Sequence, residues 1–286
     1  MLKFRGIIAL DIDGTITAER YTLSPVVTDF FNQLIKEQWG LIFISGRTFA
    51  FARPVLSSLM GSYYFAVQNG AALYHMPNVQ QIKKHYLPGQ ALKELVPIFK
   101  EHGVGLLVEM GQEREDVCYY KPSDFSDEEL VYVHKRRDLS YSAWVAVEDF
   151  AQLQITEFAV GKFFASKEKA EYLAKCIMDR LPYPTIVIQD PCRPGCYLAH
   201  INATGASKGH ILEKFRVMQG SKIPVIAAGD DYNDMGMLQV SDVKIVMANA
   251  PKSMHAMADI LAKPAQQHGI IDALKQVIYG RDFNAS

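Results

Sequence analysis

The sequence lacks an excess of charge of either sign, and it lacks a long apolar run near its start. The 30 Lys and Arg residues against 31 Asp and Glu give a formal net charge of −1. This balance gives no reason to expect nucleic acid or an anionic membrane as a partner. The apolar run that follows Lys3 and Arg5 is too short for a signal peptide or a membrane-spanning helix. We therefore expect a cytoplasmic protein with no nucleic-acid and no membrane partner.

Cysteine is also scarce, with four residues among 286. Cys192 and Cys196 lie close enough in sequence to suggest a disulfide or half of a zinc site. Only His200 follows nearby, so a second pair of ligands at zinc spacing is missing. We expect reduced thiols there and no metal.

The length of the chain suits two domains, either of which can bury a core of its own. Hydrophobic residues make up 49% and charged residues 21% of the chain, which is typical of a soluble globular protein. We find neither an internal repeat nor a low-complexity tract.

The most informative segment is a short apolar run that ends in two aspartates. Ile7–Leu10 has the character of a buried strand in a parallel sheet. Asp11 and Asp13 follow it, and two carboxylates this close repel each other unless a cation or a proton lies between them. One can attack phosphorus and the other can act as general acid and base, while the turn at Gly14 lets N–H groups approach a phosphate. The alternative, a calcium loop, needs further oxygen ligands and a later Glu.

Three later segments supply what the two aspartates lack. Ser45 follows a second apolar strand, and its hydroxyl can donate to a phosphate oxygen, although Ser-Gly is also an ordinary turn. Lys208 lies in the first turn of a predicted helix, where a cation is unfavourable unless an anion binds; a surface lysine is the alternative. Residues 229–234 follow a third strand with a glycine and clustered acids. They have the form of a site for a hard metal ion, with a solvated acidic turn as the alternative.

Alternating strands and helices surround these motifs. Ser24 predicts an N-cap, and the apolar spacing after it predicts a helix that ends at Gly40. The alternation predicts the α/β class with a doubly wound, Rossmann-like parallel sheet. Ligands bind beyond the carboxyl ends of such strands, where Asp11, Ser45 and Asp230 all lie. We therefore expect these three residues to share one site.

The pattern changes between residues 86 and 201. Helices and strands alternate differently here, with a capping-box pair at Ser126 and Glu129 before one helix. A long strand is predicted over residues 155–164, and shorter strands follow the next helix. We predict that this segment is an α/β domain inserted into the first.

Together these motifs resemble the haloacid dehalogenase superfamily of phosphotransferases, whose four motifs occur here in order. Residues 11–15 are similar to its first motif, Ser45 to its second, Lys208 to its third and residues 229–234 to its fourth.

A finer resemblance is to the Cof-type phosphatases of subfamily IIB. Asn69 and Gly70 follow the third core strand, as in that subfamily. Residues 246–251 are similar to its Ala-Met-Gly-Asn-Ala stretch, with Ala248 in place of the glycine. The domains that this resemblance implies are a catalytic core at 1–85 and 202–286 and a C2B-type cap domain at 86–201 that sets substrate specificity.

The resemblance also implies roles for the matching residues. Asp11 is the nucleophile, Asp13 the general acid and base, and Lys208 the catalytic cation. Mg²⁺ is the implied cofactor. Its predicted ligands are Asp11, Asp13 through the backbone carbonyl, Asp230 and Asp234. Asn233 and Asp234 are also expected to hold Lys208 and metal-bound water, and whether Asp231 or Asp234 touches the metal is left open.

The predicted substrate-binding residues are Thr15, Ser45, Gly46, Arg47, Asn69 and Asn233. For Arg47 a surface ion pair is an equal alternative.

The sequence thus predicts a Mg²⁺-dependent phosphatase that forms an aspartyl-phosphate on a small phosphorylated metabolite. A sugar phosphate is favoured by the resemblance alone. One alternative is a phosphomutase or phosphotransferase of the phosphomannomutase type. Another is a non-catalytic phosphate-binding protein, which would be expected to lack Asp11, Asp13 or Lys208. We expect a monomer or a weak homodimer, and no motif identifies the substrate.

Overall fold

The computed structural model describes residues 4–19, 22–190 and 192–280. Its strands, in chain order, are β1 (Ile7–Leu10), β2 (Gly40–Ile44), β3 (Tyr63–Val67), β4 (Ala72–Met76), β5 (Gln80–Lys84), β6 (Leu87–Pro88), β7 (Leu107–Glu109), β8 (Cys118–Tyr120), β9 (Trp144–Ala146), β10 (Glu157–Phe158), β11 (Val160–Ala165), β12 (Thr185–Gln189), β13 (Tyr197–Ile201), β14 (Val225–Gly229), β15 (Val243–Met247) and β16 (Ile260–Ala262). Its α-helices are α1 (Pro25–Lys36), α2 (Phe49–Ala52), α3 (Gly89–His102), α4 (Asp127–Leu139), α5 (Lys167–Arg180), α6 (Lys208–Gln219), α7 (Met235–Gln239), α8 (Lys252–His255) and α9 (Gly269–Gly280). Within the described part of the chain, no helix has the length and apolar composition that crossing a membrane requires.

The chain divides into two compact units. The first comprises Met1–Gly46, Ala52–Lys83 and Ser207–Ser286, and the second comprises Arg47–Phe51 and Lys84–Ala206. The second unit is therefore contributed mainly by one long insertion, with a short segment that comes from the earlier part of the chain.

The first unit is built on one sheet with the strand order β16-β15-β14-β1-β2-β3-β4-β5. The strands from β16 to β3 are parallel, and β4 runs antiparallel to β3. β1, β2 and β14 are buried along their whole length. Their continuous apolar sequences follow from this burial, because a parallel sheet is covered on both faces. The predicted α/β class with a parallel core sheet is confirmed.

The pairing of β1 places the strand ends that matter for function side by side. Leu10, the last residue of β1, pairs with Ala228 of β14 and with Phe43 of β2. On the far side of β14, Gly229 pairs with Val246 of β15. The residues that follow β1, β2, β14 and β15 therefore leave the sheet at the same edge.

α1 begins where the sequence predicts and ends earlier. The hydroxyl of Ser24 accepts a hydrogen bond from the N–H of Val27, which confirms the predicted N-cap. The predicted end at Gly40 is wrong, because α1 ends at Lys36 and Gly40 begins β2. Between them Gln38 adopts the left-handed conformation, with φ of +65°, and this turns the chain out of the helix.

The second unit contains a sheet with the strand order β12-β13-β11-β7-β8-β9 and a separate pair formed by β6 and β10. The capping box of Ser126 and Glu129 forms at the start of α4, as predicted. The single strand predicted over residues 155–164 is divided into β10 and β11. The reason is that β10 pairs with β6, whereas β11 pairs with β7 and β13 of the larger sheet.

Candidate active site

The end of β1 supplies one buried and one exposed carboxylate. The N–H of Asp11 donates to the carbonyl of Ala228 at 3.0 Å, so pairing with β14 continues one residue beyond the strand. Asp11 is 4% exposed. Asp13 is exposed and begins a tight turn in which Gly14, with φ of +75°, donates its N–H to the carbonyl of Thr17 at 2.9 Å.

Lys208 lies between two carboxylates. It is the first residue of α6, whose N-cap Ser207 accepts from the N–H of His210. Its Nζ donates to Oδ1 of Asp11 at 2.5 Å and to Oδ1 of Asp234 at 2.6 Å, and the residue is 2% exposed. Burial disfavours the charge of Lys208, but the two carboxylates outweigh burial and raise the pKa of Lys208 above its usual value. The ammonium group is therefore permanently charged at neutral pH.

Asp234 is fully buried, and the surrounding chain engages both of its carboxylate oxygens. Oδ1 accepts from Lys208, while Oδ2 accepts from the backbone N–H groups of Asp230 at 2.9 Å and Asp231 at 3.1 Å. Gly229 makes room for it, since a Cβ there would lie 2.5 Å from the Cβ of Asp234. This carboxylate fixes the turn after β14 and orients the lysine.

Asp230 is held by side chains from two other segments. The hydroxyl of Thr15 lies 3.4 Å from Oδ1, and Nδ2 of Asn249 donates to Oδ2 at 2.8 Å. A Cβ on Gly14 would lie 2.1 Å from Oδ2 of Asp230, so only glycine fits beside this carboxylate. The sequence predicts that Thr15 binds substrate. In the structure its hydroxyl instead lies beside Asp230, a candidate metal ligand.

Ser45, Asn69 and Asn233 form a second set of contacts. Ser45 is buried after β2, and its carbonyl accepts from the N–H of Asn69 at 2.9 Å. Asn69 adopts the left-handed conformation, with φ of +58°. Its Oδ1 accepts a long hydrogen bond of 3.5 Å from Nδ2 of Asn233. These polar groups therefore follow three different strands of one sheet.

The remaining predicted residues follow Ser45 in sequence. Gly46 is the last residue of its segment of the first unit, whereas Arg47 belongs to the second unit. The guanidinium of Arg47 lies 4.7 Å from the ring centroid of Phe51. The predicted substrate contact of Arg47 stays a prediction.

The site has more negative than positive groups. Carboxylate oxygens of Asp11, Asp230 and Asp234 lie within 4.8 Å of one another, beside the single ammonium of Lys208. Burial raises the pKa of Asp11 well above its usual value against the opposing charge of Lys208. Burial and the neighbouring carboxylates also raise the pKa of Asp230 to about 7. A second cation would relieve this repulsion, and carboxylate oxygens are the ligands that Mg²⁺ prefers. The donor set therefore fits the predicted metal.

Sequence reasoning missed one member of this network. The residues that the structure joins by hydrogen bonds are Asp11, Lys208, Asp234, Asp230, Thr15 and Asn249. In the sequence, Asn249 is marked only by its place in residues 246–251, which resemble a stretch of the Cof-type phosphatases. Its position after a strand adjacent to β14 is the signal that could have identified it.

Comparison with protein families gives a match over most of the chain. The model of a family described as haloacid dehalogenase-like hydrolases matches residues 8–274. A phosphoglycolate phosphatase 2 of Saccharolobus solfataricus is 33% identical over 82 residues, which are 29% of this chain and 35% of that protein. The pyridoxal phosphate phosphatase of Escherichia coli K12 is 23% identical over 96% of this chain and 97% of its own length.

Solved structures show the same fold. A haloacid dehalogenase-like hydrolase from Bacteroides thetaiotaomicron has a TM-score of 0.77 and 20% identity, with 96% of this chain and 99% of that chain covered. A haloacid dehalogenase subclass IIB sugar phosphatase has a TM-score of 0.73 and 18% identity, with 95% and 98% covered. The likeness extends over both units of the chain and confirms the predicted fold.

Proposed function

The chain belongs to the haloacid dehalogenase-like hydrolases, and from that premise we propose that it is a Mg²⁺-dependent phosphatase of a small phosphorylated metabolite. Among the elements of this proposal, the enzyme class, a phosphoric monoester hydrolase, has the most direct support. The observation that carries the proposal is the hydrogen-bonded set of Asp11, Lys208 and Asp234 beside Asp230. It combines a nucleophile, a fixed positive charge and an oxygen-rich metal site.

In the first step, an oxygen of Asp11 attacks phosphorus and the bond from phosphorus to the ester oxygen breaks. Asp13 donates its proton to the departing alcohol, so the leaving group is a neutral hydroxyl. Lys208 neutralises charge on the phosphoryl oxygens during the transfer. Because the charge of the transition state is spread over the phosphoryl oxygens, positioning and charge neutralisation contribute strongly to the rate enhancement.

In the second step, water attacks phosphorus of the aspartyl-phosphate on Asp11. Asp13, now ionised, takes a proton from the water, and the bond from phosphorus to the Asp11 oxygen breaks. Inorganic phosphate leaves and both carboxyl groups return to their starting states. The exposure of Asp13 supports its role, because a group that exchanges protons with alcohol and water has to reach both.

The residues that would hold Mg²⁺ are Asp11, the backbone carbonyl of Asp13, and Asp230. When bound, the ion supplies positive charge that keeps Asp11 ionised and polarises the phosphoryl group. We assign Asp234 mainly to orienting Lys208 and the turn after β14, since its oxygens already accept three hydrogen bonds.

The substrate is proposed at the level of its chemical class. The relatives' names refer to pyridoxal phosphate, phosphoglycolate and sugar phosphates, and these share only a phosphate monoester on a small molecule. We favour a sugar phosphate within that class, and we propose that residues 86–201 act as the cap that selects it. A cytoplasmic location and a monomeric or weakly dimeric state are parts of the same proposal.

The decisive variant is Asp11→Asn, which keeps the shape of the side chain and removes the nucleophile. We expect kcat to fall by roughly 10⁴-fold or more, measured as inorganic phosphate released from a panel of phosphorylated metabolites. Asp29→Asn, an equivalent change on the exposed face of α1, should leave kcat unchanged. Beryllium fluoride with Mg²⁺ should be retained by the wild type and not by Asp11→Asn.

Two results would contradict the proposal. Full activity of Asp11→Asn would exclude the covalent step. Conversion of one phosphorylated metabolite into another, without release of inorganic phosphate, would indicate a mutase or phosphotransferase instead.

A further inference from the structure

Asn249 lies on the turn that follows β15, beside the strand that carries Asp230. Its Nδ2 donates a hydrogen bond of 2.8 Å to Oδ2 of Asp230. We infer that Asn249 is a positioning residue that fixes the orientation of the Asp230 carboxylate for metal binding. The inference rests on the proposed function and adds a residue to its metal site.

The backbone fixes the position of Asn249, although its side chain is exposed. On one side, the N–H of Ala248 donates to the carbonyl of Ala262 in β16 at 2.8 Å. On the other side, Nε2 of His255 lies 3.1 Å from the carbonyl of Ala250. These contacts hold both ends of the turn. They therefore fix the position from which the Asn249 amide donates to Asp230.

The chemistry of the amide suits this task. A carboxylate can rotate about its last bond, and a metal ligand that rotates binds its ion less tightly. Asn249 donates to one oxygen, and the hydroxyl of Thr15 lies 3.4 Å from the other. Because both donors are neutral, they orient the carboxylate and leave its negative charge for the cation.

The space around Gly14 supports the same inference about Asn249. A Cβ at this position would lie 2.1 Å from Oδ2 of Asp230 and 3.3 Å from Nδ2 of Asn249. The hydrogen-bonded pair therefore occupies space that only a glycine leaves open. Three segments, from the ends of β1, β14 and β15, meet at this one carboxylate.

The test is a metal-binding measurement on the full chain without substrate. Free Mn²⁺ is followed by electron paramagnetic resonance during titration of the wild type, Asn249→Ala, Asp230→Ala and Ser253→Ala. We expect Asn249→Ala to weaken Mn²⁺ binding by about 10- to 100-fold, the usual effect of losing a partner of a metal ligand. The Mg²⁺ concentration for half-maximal phosphatase activity should rise with it, and kcat at saturating Mg²⁺ should fall by a smaller factor.

Ser253→Ala is the matched control, because Ser253 lies close in sequence and contacts Tyr232 instead of Asp230. Wild-type Mn²⁺ affinity in Asn249→Ala, with loss of binding in Asp230→Ala, would overturn the inference and leave the proposed function standing. A raised KM with unchanged Mn²⁺ affinity would also overturn it, since Asn249 would then act on the substrate. Absence of Mn²⁺ binding to the wild type would contradict the proposed function itself.

Discussion

Lys208 is 2% exposed and bridges carboxylates that come from two different motifs. Burying an ion pair gains little over apolar residues, whereas removing one partner leaves an uncompensated buried charge. At the scale of the single residue, the site is therefore maintained by a lysine that the sequence pattern alone cannot distinguish from one on the surface.

Lys208→Ala should lower the free energy of unfolding by about 3–5 kcal/mol at pH 8. The loss should be smaller at pH 5, because burial raises the pKa of Asp11 well above its usual value, and a protonated Asp11 no longer needs the charge of the lysine. Urea denaturation at both pH values measures this, with Lys214→Ala on the exposed face of α6 as the control. An equal loss at both pH values would show that the missing contacts of the side chain, and not its charge, cause the effect.

The second unit also has a buried carboxylate, and this group should make the stability of the protein depend on pH in its own way. Asp116 is 1% exposed and its Oδ2 accepts from the N–H of Ala50 at 2.6 Å. Burial raises the pKa of Asp116 to about 7, with Glu109 and Glu113 adding to the rise and Lys162 opposing it.

A carboxyl group with a raised pKa binds its proton more tightly in the folded state. Its contribution to stability is complete below about pH 4, the usual carboxyl range, and is lost as the pH rises through about 7. As the pH rises from 4.5 to 8, the free energy of unfolding should therefore fall less in Asp116→Asn than in the wild type. The midpoint of urea denaturation measures this fall. Asp138→Asn, at an exposed position, should behave as the wild type, and identical slopes for all three proteins would refute the assignment.

The sequence allowed prediction of those candidate site residues that have a suitable polar side chain and directly follow a strand. Asp11, Ser45 and Asp230 follow apolar strands, and the topology of a parallel sheet brings such residues to one edge. Asp116 could not be predicted in this way, because its burial depends on a loop in which both it and Glu115 adopt positive φ values. Asn249 could not be predicted in this way either, because its amide contacts another side chain, the carboxylate of Asp230.

At the scale of elements, the approach of α6 and α7 sets the position of Lys208. Gly209 and Gly236 lie in contact at the starts of these helices, and a Cβ on Gly209 would lie 2.6 Å from the backbone of Gly236. A Cβ on Gly236 would meet only ordinary contacts, at 3.7 Å from Gly209. The contact is therefore asymmetric, although glycine is present on both sides.

This asymmetry predicts different effects of alanine at the two glycines. Gly209→Ala should force α6 away from α7, displace the neighbouring Lys208, and reduce both kcat and the unfolding temperature. Gly236→Ala should keep activity and gain up to about 1 kcal/mol, because alanine favours helix more than glycine does. Thermal unfolding and phosphate release measured on both variants test this, and equal behaviour of the two would rule out the steric explanation.

Patterns of apolar residues predicted most elements, and the exceptions have local causes. The end of α1 was misplaced because glycine is a usual helix terminator, whereas here the chain turns two residues earlier at Gln38. The strand over residues 155–164 is interrupted because its two parts pair with different sheets. Pairing partners distant in sequence leave no trace in a local pattern.

At the scale of the whole molecule, the unbalanced carboxylates predict that metal binding would raise stability. A ligand that binds only the folded state at 100 times its Kd adds about 2.7 kcal/mol. Mg²⁺ should therefore raise the unfolding temperature by roughly 5 °C or more, and KCl of equal ionic strength should not. Calorimetry of the wild type and Asp230→Ala measures the effect, and a shift of the same size in Asp230→Ala would place the responsible metal elsewhere.

The order of the core sheet also has a consequence for synthesis. β1 pairs with β14 on one side, where Ile7 lies opposite Val225. This pairing can form only after the ribosome has added Val225 to the chain. At about 5–20 residues per second, this interval lasts on the order of 10–40 s. The inserted unit leaves the ribosome meanwhile and can complete its own sheet first. The proposed nucleophile Asp11 is therefore synthesised 197 residues before Lys208, so the proposed catalysis cannot begin until the ribosome has added both this lysine and Asp230.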